Sequence, residues 1–249
     1  MSSTKEHPPL KLRVFAGPNG SGKSTVIKFV QDYTYDGNYI DFGTYINADD
    51  IAFSLKNGNF SFEKYYLTVT QEAFNTIALE SGLINDSFTL STFKKSYQFL
   101  ANSIVLSNKK AIDKLAQIIA DFLRVKLLQE KRRFSFETVF SHASKLAIMR
   151  AARAQGYKVY LYFVSTEDPE INIKRVESRV LQGGHDVPSE LIVKRYYRSL
   201  GFLYEACQIA DQVFFFDNSA EGSLSNMFAH FKVVNGKKQW DNINTVLNI

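Results

Sequence analysis

Apolar and polar positions follow two rhythms along this chain, one of two residues and one of three to four, and the switches between them mark its elements. Residues 10–16 alternate apolar and basic side chains and end on a buried run, the pattern of a strand, while residues 24–33 carry apolar positions at helical spacing. A second strand is predicted at 44–47 and a short helix opened by acidic residues at 48–55. Through Tyr65, Tyr66, Val69, Ala73, Phe74 and Ile77, residues 62–79 read as one helix. Residues 82–107, rich in Ser, Asn, Phe and Leu, read as a hairpin followed by a helix. Ala111, Leu115, Ile118, Ile119, Phe122 and Leu123 make 110–130 an amphipathic helix that closes on basic residues, where its dipole favours them.

The second half repeats the strand and helix alternation. Residues 134–140 read as a buried strand, 144–155 as a helix, 156–164 as a strand, and 170–181 and 189–210 as helices around the loop 182–188. A last core strand is predicted at 212–217, and Asn235-Gly236 centres a hairpin over 231–240. Alternating strands and helices imply a parallel sheet.

Between the first strand and the first helix stands Gly17-Pro18-Asn19-Gly20-Ser21-Gly22-Lys23-Ser24-Thr25, which fits the phosphate-loop pattern G-x-x-x-x-G-K-S/T in the setting that its chemistry needs. Glycines let backbone N–H groups converge on phosphate oxygens, and the new helix presents its positive end there. Lys23 bridges the outer phosphates, and the Ser24 hydroxyl reaches a magnesium ion. The expected fold class is therefore α/β, a P-loop fold of the nucleoside-monophosphate-kinase type. It has a five-stranded parallel sheet flanked by helices, a helical insertion at about 81–131 and a C-terminal hairpin at about 228–242, all in a single domain over 1–249. No strand ends in adjacent Asp-Glu and no Ser-Gly-Gly-Gln signature occurs, which argues against the larger ATPase classes and the transporters.

Composition narrows the ligands and the setting. With 249 residues, 45% of them apolar, the chain is long enough for a substantial core. A net charge of +5 with scattered basic residues suits phosphorylated small molecules and lacks the dense basic stripe of a dedicated nucleic-acid binder. The single cysteine, Cys207, lies in an apolar helical stretch and is read as core, so a reducing cytoplasm is the natural setting. No signal-peptide run opens the chain and no stretch is long and apolar enough for a membrane span.

Four further places carry chemistry. Asp49 and Asp50 close the second strand, at the edge that faces the phosphate loop in an open parallel sheet. Asp49 is read as the base for an acceptor hydroxyl, and Asp50 as the cap of the next helix. Glu137 is one charge inside an apolar strand, so it either holds substrate hydroxyls and magnesium-bound water or pairs with an arginine. Arg175 and Arg179 share a helix face before the loop Gly183-Gly184-His185, as a lid that neutralises phosphate oxygens is built, or else are solvated, with Arg195 and Arg198 on the next helix. His185 stays open between loop bonding and ligand contact, and Asp217-Asn218-Ser219 reads as a turn.

Taken in order, the phosphate loop, Asn-Ala-Asp-Asp-Ile-Ala, Phe-Glu-Thr-Val-Phe-Ser, Gly-Gly-His-Asp-Val-Pro, Arg-Tyr-Tyr-Arg-Ser-Leu and Asp-Asn-Ser resemble the zeta-toxin-like P-loop kinases, over roughly residues 11–220. The resemblance implies ATP and Mg2+ as cofactors, UDP-N-acetylglucosamine or another nucleotide sugar as the acceptor, and a small helical antitoxin as a partner. Lys23 and Ser24 match the family's phosphate-loop lysine and magnesium ligand. Asp49 matches its base, Glu137 its substrate-binding acid and Arg175 one phosphate-clamping arginine. The second such arginine belongs where Gly184 and His185 stand here, so Arg179 or Arg195 has to substitute. A nucleotide-switched binding protein and a nucleic-acid end kinase are the rival readings.

Overall fold

The computed structural model describes residues 9–184, 186–220 and 226–241. They form two compact units, one built from the chain on either side of an inserted stretch and the other from that stretch, Thr44–Arg132. The inserted unit begins at Thr44, ahead of the insertion expected at about 81–131, and holds strands as well as helices.

In chain order the first unit contributes β1 (Lys11–Ala16), α1 (Lys23–Asp32), β2 (Thr34–Tyr35) and β3 (Asn38–Tyr39). The second contributes β4 (Thr44–Ile46), α2 (Ala48–Lys56), β5 (Asn59–Ser61), α3 (Gln71–Glu80), α4 (Leu90–Ser96), β6 (Tyr97–Leu100), β7 (Ser103–Leu106) and α5 (Ile112–Gln129). The first unit resumes with β8 (Phe134–Thr138), α6 (Ser144–Ala154), β9 (Lys158–Ser165), α7 (Pro169–Leu181), α8 (Ser189–Ile209), β10 (Gln212–Asp217), β11 (Asn226–Val234) and β12 (Lys237–Trp240).

Within the first unit the strands β12, β11, β10, β9, β1 and β8 lie side by side in that order. β8, β1, β9 and β10 run parallel, with Ala16 opposite both Thr138 and Phe163, and Asp217 opposite Ser165. β11 and β12 add antiparallel. β1 is central and buried through Leu12, Val14, Phe15 and Ala16, as expected of a parallel strand covered on both faces. Its register aligns the carboxyl ends of four strands, the edge at which open α/β sheets place their ligands. The predicted hairpin is β11 and β12, turning on Asn235 and Gly236, both at positive φ; residue 242 of its expected range lies outside the described residues.

The second unit packs α2, α3 and α5 with a three-stranded antiparallel sheet in the order β5, β7, β6. Its core is aromatic: Phe62, Phe74, Phe93, Tyr97 and Phe122 meet tilted or edge to face at centroid distances of 5.2 to 6.1 Å. Two expectations fail here. The single helix over 62–79 is a 3-10 turn, Phe62–Tyr65, and the separate helix α3, because Tyr66 adopts φ 54° and Thr70 caps a new helix by accepting from the Ala73 N–H. The hairpin and helix over 82–107 occur in the opposite order, α4 before β6 and β7.

Candidate active site

The glycine loop leaves the end of β1 and is pinned by backbone at once, with the Gly17 N–H donating to the Thr138 carbonyl at 3.3 Å. Two glycines are dictated by their neighbours. Gly20 has φ 73°, and a Cβ there would fall 2.5 Å from the Asn172 carbonyl oxygen; Gly22 has φ 87°, and a Cβ would run into the Asn218 amide. α1 then opens at Lys23 with no side-chain cap and no acidic residue in its first turn. The orphan N–H groups of that turn and the positive end of the helix dipole therefore face outward without a built-in anion, an arrangement a phosphate completes.

Lys23 is almost wholly buried, with its side chain 7% exposed. Its ammonium donates to the Pro18 carbonyl at 2.9 Å and stands 3.7 Å from Glu137 Oε1. Glu137 lies on β8 opposite Phe15 of β1, so the sheet register delivers this carboxylate to the loop. Of the two partners expected for Glu137, the site or an arginine, the ion pair formed is with the loop lysine. Ser24 and Thr25 are exposed on the first turn of α1, while Pro18 is buried and Asn19 half-buried in the loop.

Two asparagines brace the loop from elsewhere in the chain. The Asn218 amide donates to the Ser21 carbonyl at 2.9 Å, and that of fully buried Asn172 donates to the Asn19 carbonyl at 2.5 Å. Asn172 Oδ1 accepts from the Thr166 hydroxyl, and the Thr166 backbone carbonyl accepts from Tyr196 Oη at 2.6 Å. The Ser21 hydroxyl is buried with no hydrogen-bond partner among the described residues, a polar group inside the loop left over by their network.

The arginines separate. Arg175 donates to the Asn218 and Ala220 carbonyls at 2.7 and 3.3 Å, so it braces the strand end that holds Ser21. Arg179 is exposed in the last turn of α7, with its stem against Gly184. Arg195 reaches the loop, donating to Asn19 Oδ1 at 3.2 Å, and partial burial lowers the pKa of its guanidinium. Arg198 is exposed, and His185 lies outside the described residues.

Asp49 sits in the second unit, exposed on the first turn of α2. Its own N–H donates to Asn47 Oδ1 at 2.8 Å. The cap is thus Asn47 and not Asp50, which leaves the Asp49 carboxylate out of the capping role. Asp217 does form the expected turn, accepting from the Ser219 N–H at 2.9 Å, yet Asn218 within it belongs to the loop network. Sequence reasoning passed over Asn172, although a polar residue one turn from buried Val176 on the inner face of α7 is a readable signal.

The model of the family described as Zeta toxin matches residues 93–224, a little over half of the chain. The match takes in Glu137, Asn172, Arg175, Arg179, Arg195 and Asn218, and begins after the glycine loop and Asp49. An uncharacterized protein of Haemophilus influenzae is 32% identical over 63 residues, 25% of this chain. The matched stretch spans 45% of that relative's length. Among solved structures, the AvrRxo1-ORF1:AvrRxo1-ORF2 complex with sulphate ions aligns over 97% of this chain and 63% of its own, at 13% identity and a TM-score of 0.52. The same complex with ATP gives a TM-score of 0.51 at 13% identity over the same shares. At that identity the likeness is one of fold, and it agrees with an α/β chain built on a mostly parallel sheet.

Proposed function

Since the chain belongs to the zeta toxin family, we propose that it is an ATP-dependent kinase that moves the γ-phosphate to a hydroxyl of a small-molecule acceptor. The observation that carries this reading is the buried Lys23 ammonium, held between the Pro18 carbonyl and Glu137 at a helix start that no side chain caps. Supporting ATP as the nucleotide, a solved relative of the same fold holds it.

The division of labour follows from the residues. Loop N–H groups and Lys23 bind the triphosphate, and Asn172 and Asn218 keep the loop in its binding shape. Ser24 would hold Mg2+, which neutralises phosphate charge when bound. Glu137 exchanges its pairing with Lys23 for acceptor hydroxyls once phosphates engage the lysine. Arg175 steadies the loop through Asn218 and keeps N–H groups for a phosphate oxygen. Arg179 is a candidate for the same charge. Asp49, with its carboxylate free of the helix cap, takes the acceptor proton.

Membership in the family favours a nucleotide sugar such as UDP-N-acetylglucosamine as the acceptor and a small antitoxin as a protein partner. Among the described residues no helix is long and apolar enough to cross a membrane, and the lone buried thiol fits a reducing cytoplasm.

The test is to incubate the purified chain with γ-labelled ATP, Mg2+ and a panel of nucleotide sugars. Label appearing on an acceptor, and lost in Asp49→Asn while nucleotide binding persists, is the expected result. Slow release of inorganic phosphate with no labelled acceptor would replace the kinase by a nucleotide-driven switch.

A further inference from the structure

Tyr66 stands in the second unit between two buried neighbours, Tyr65 and Leu67. Its N–H donates to the Glu63 carbonyl at 2.8 Å, and the Leu67 N–H to the Phe62 carbonyl at 3.3 Å. Arg132 donates to the Tyr65 and Tyr66 carbonyls at 2.8 and 3.4 Å. On the far side of the turn, Asn102 donates to the Leu67 carbonyl at 2.8 Å and accepts from the Val69 N–H at 2.9 Å. Together these bonds hold Tyr66 at φ 54°, a left-handed backbone that favours glycine and is an outlier for a bulky residue. The fold gains no burial from the ring in return, since it is 88% exposed. A rigidly held, strained backbone that presents an aromatic ring to solvent points to a ligand for that ring.

The turn shares its clamp with the strand that leads to Asp49. The Arg132 guanidinium that holds the Tyr66 carbonyl also donates to Thr44 Oγ1 at 3.2 Å, and Thr44 opens β4, which runs into the Asn47 cap and the first turn of α2. Tyr65 lies close to that same turn: burial, and then the charge of Asp50, push its pKa up to about 12. The end of β4, the start of α2 and the turn at Tyr66 therefore form one cluster within the second unit, where Asp49 and the Tyr66 ring are both exposed.

We propose that Tyr66 is the surface on which the nucleobase of a nucleotide-linked acceptor stacks while the acceptor hydroxyl meets Asp49. A tyrosine face is large and stiff, and any nucleobase can stack on it without a matched set of polar partners. The proposal rests on the kinase reading above and names a residue that selects its acceptor. Because the backbone at position 66 favours glycine, fold and ligand make opposite demands there.

The test is Tyr66→Gly, with Tyr66→Phe as the conservative control. Steady-state rates are measured with ATP, Mg2+ and UDP-N-acetylglucosamine, or the member of the nucleotide-sugar panel that the native chain labels, and urea unfolding is followed on the same proteins. In Tyr66→Gly the KM for the acceptor rises at least about fivefold, the low end of what a base–aromatic stack contributes, while the KM for ATP stays within about twofold. The urea midpoint does not fall, because glycine suits the turn. Inhibition by the nucleoside diphosphate of the acceptor, competing with it, weakens by the same factor, and Tyr66→Phe keeps the native values. A smaller rise in the acceptor KM, or equal rises for acceptor and ATP, would overturn the proposal. A lowered midpoint or a failure to fold would also overturn it, by making the ring a part of the fold. Undiminished inhibition by the nucleoside diphosphate would move the contact off the nucleobase and overturn the assignment as stated. A native chain that labels no acceptor removes the kinase reading itself, and the inference with it.

Discussion

A double-mutant cycle on Gly22 and Asn218 tests whether the loop takes its shape from the asparagine that the last parallel strand delivers to it. In Gly22→Ala the new methyl group is placed at φ 87°, a conformation that costs an L-residue about 1–2 kcal/mol. It also collides with the Asn218 amide, an overpacking term of about 1–3 kcal/mol. Asn218→Ala removes the 2.9 Å bond to the Ser21 carbonyl and leaves a buried acceptor unpaired, at about 1–3 kcal/mol. In the double variant the collision is gone while the strain and the lost bond remain. Its destabilisation should therefore fall short of the sum of the singles by the overpacking term, about 1–3 kcal/mol. Urea unfolding at one pH, with m-values compared to exclude a changed denatured state, supplies the four free energies. Additive losses within about 0.5 kcal/mol would refute the reasoning, because they would mean that Gly22 and Asn218 do not meet.

Two predictions concern groups away from the loop. His230 is buried, bonds Asp241 through Nδ1 at 2.7 Å and stacks on Phe214 at 4.2 Å. Desolvation lowers its pKa below 6.5, the charge of Lys232 adds to this, and Asp241 opposes it. With the folded value below the unfolded one, its contribution is complete above pH 6.5 and is lost as pH falls through the folded value. The acid-side loss of stability, followed by thermal melts between pH 8 and pH 5, should be shallower in His230→Gln; an equal slope would exclude His230 as its source. Burial pushes the Cys207 thiol up to about 11, leaving roughly one molecule in a thousand as thiolate at pH 8. A thiol reagent should therefore label Cys207 only as the chain unfolds, and fast labelling of the native chain would contradict its burial.

What the sequence made legible was local. The strand, glycine loop and helix at 10–33 could be read because each signal lies within a few residues of the structure it specifies, from the alternation of β1 to the Gly and Lys positions. The hairpin at β11 and β12 was legible for the same reason, since Asn235-Gly236 names its own turn. The tight turn between β6 and β7 uses Ala101 and Asn102 at positive φ with no glycine, and it is stabilised from a distance by Asn102, which bonds both Val69 and Leu67. No local pattern announces such a turn. Likewise, the apolar spacing of 62–79 runs through Tyr66, whose left-handed backbone breaks the helix without disturbing the periodicity. In the site, Lys23 and Glu137 could be proposed from their own surroundings. Asn172, Arg195 and Asn218 touch the loop from 153, 176 and 197 residues along the chain, contacts that only the assembled sheet creates.

The account stands on a triphosphate seated in the glycine cradle and held by Lys23. Titration of ATP with Mg2+ into the native chain and into Lys23→Ala measures this directly. Saturable binding by the native chain, weakened tenfold or more in the variant, is the predicted result. Equal affinity in the two proteins, or no binding by the native chain, would contradict it.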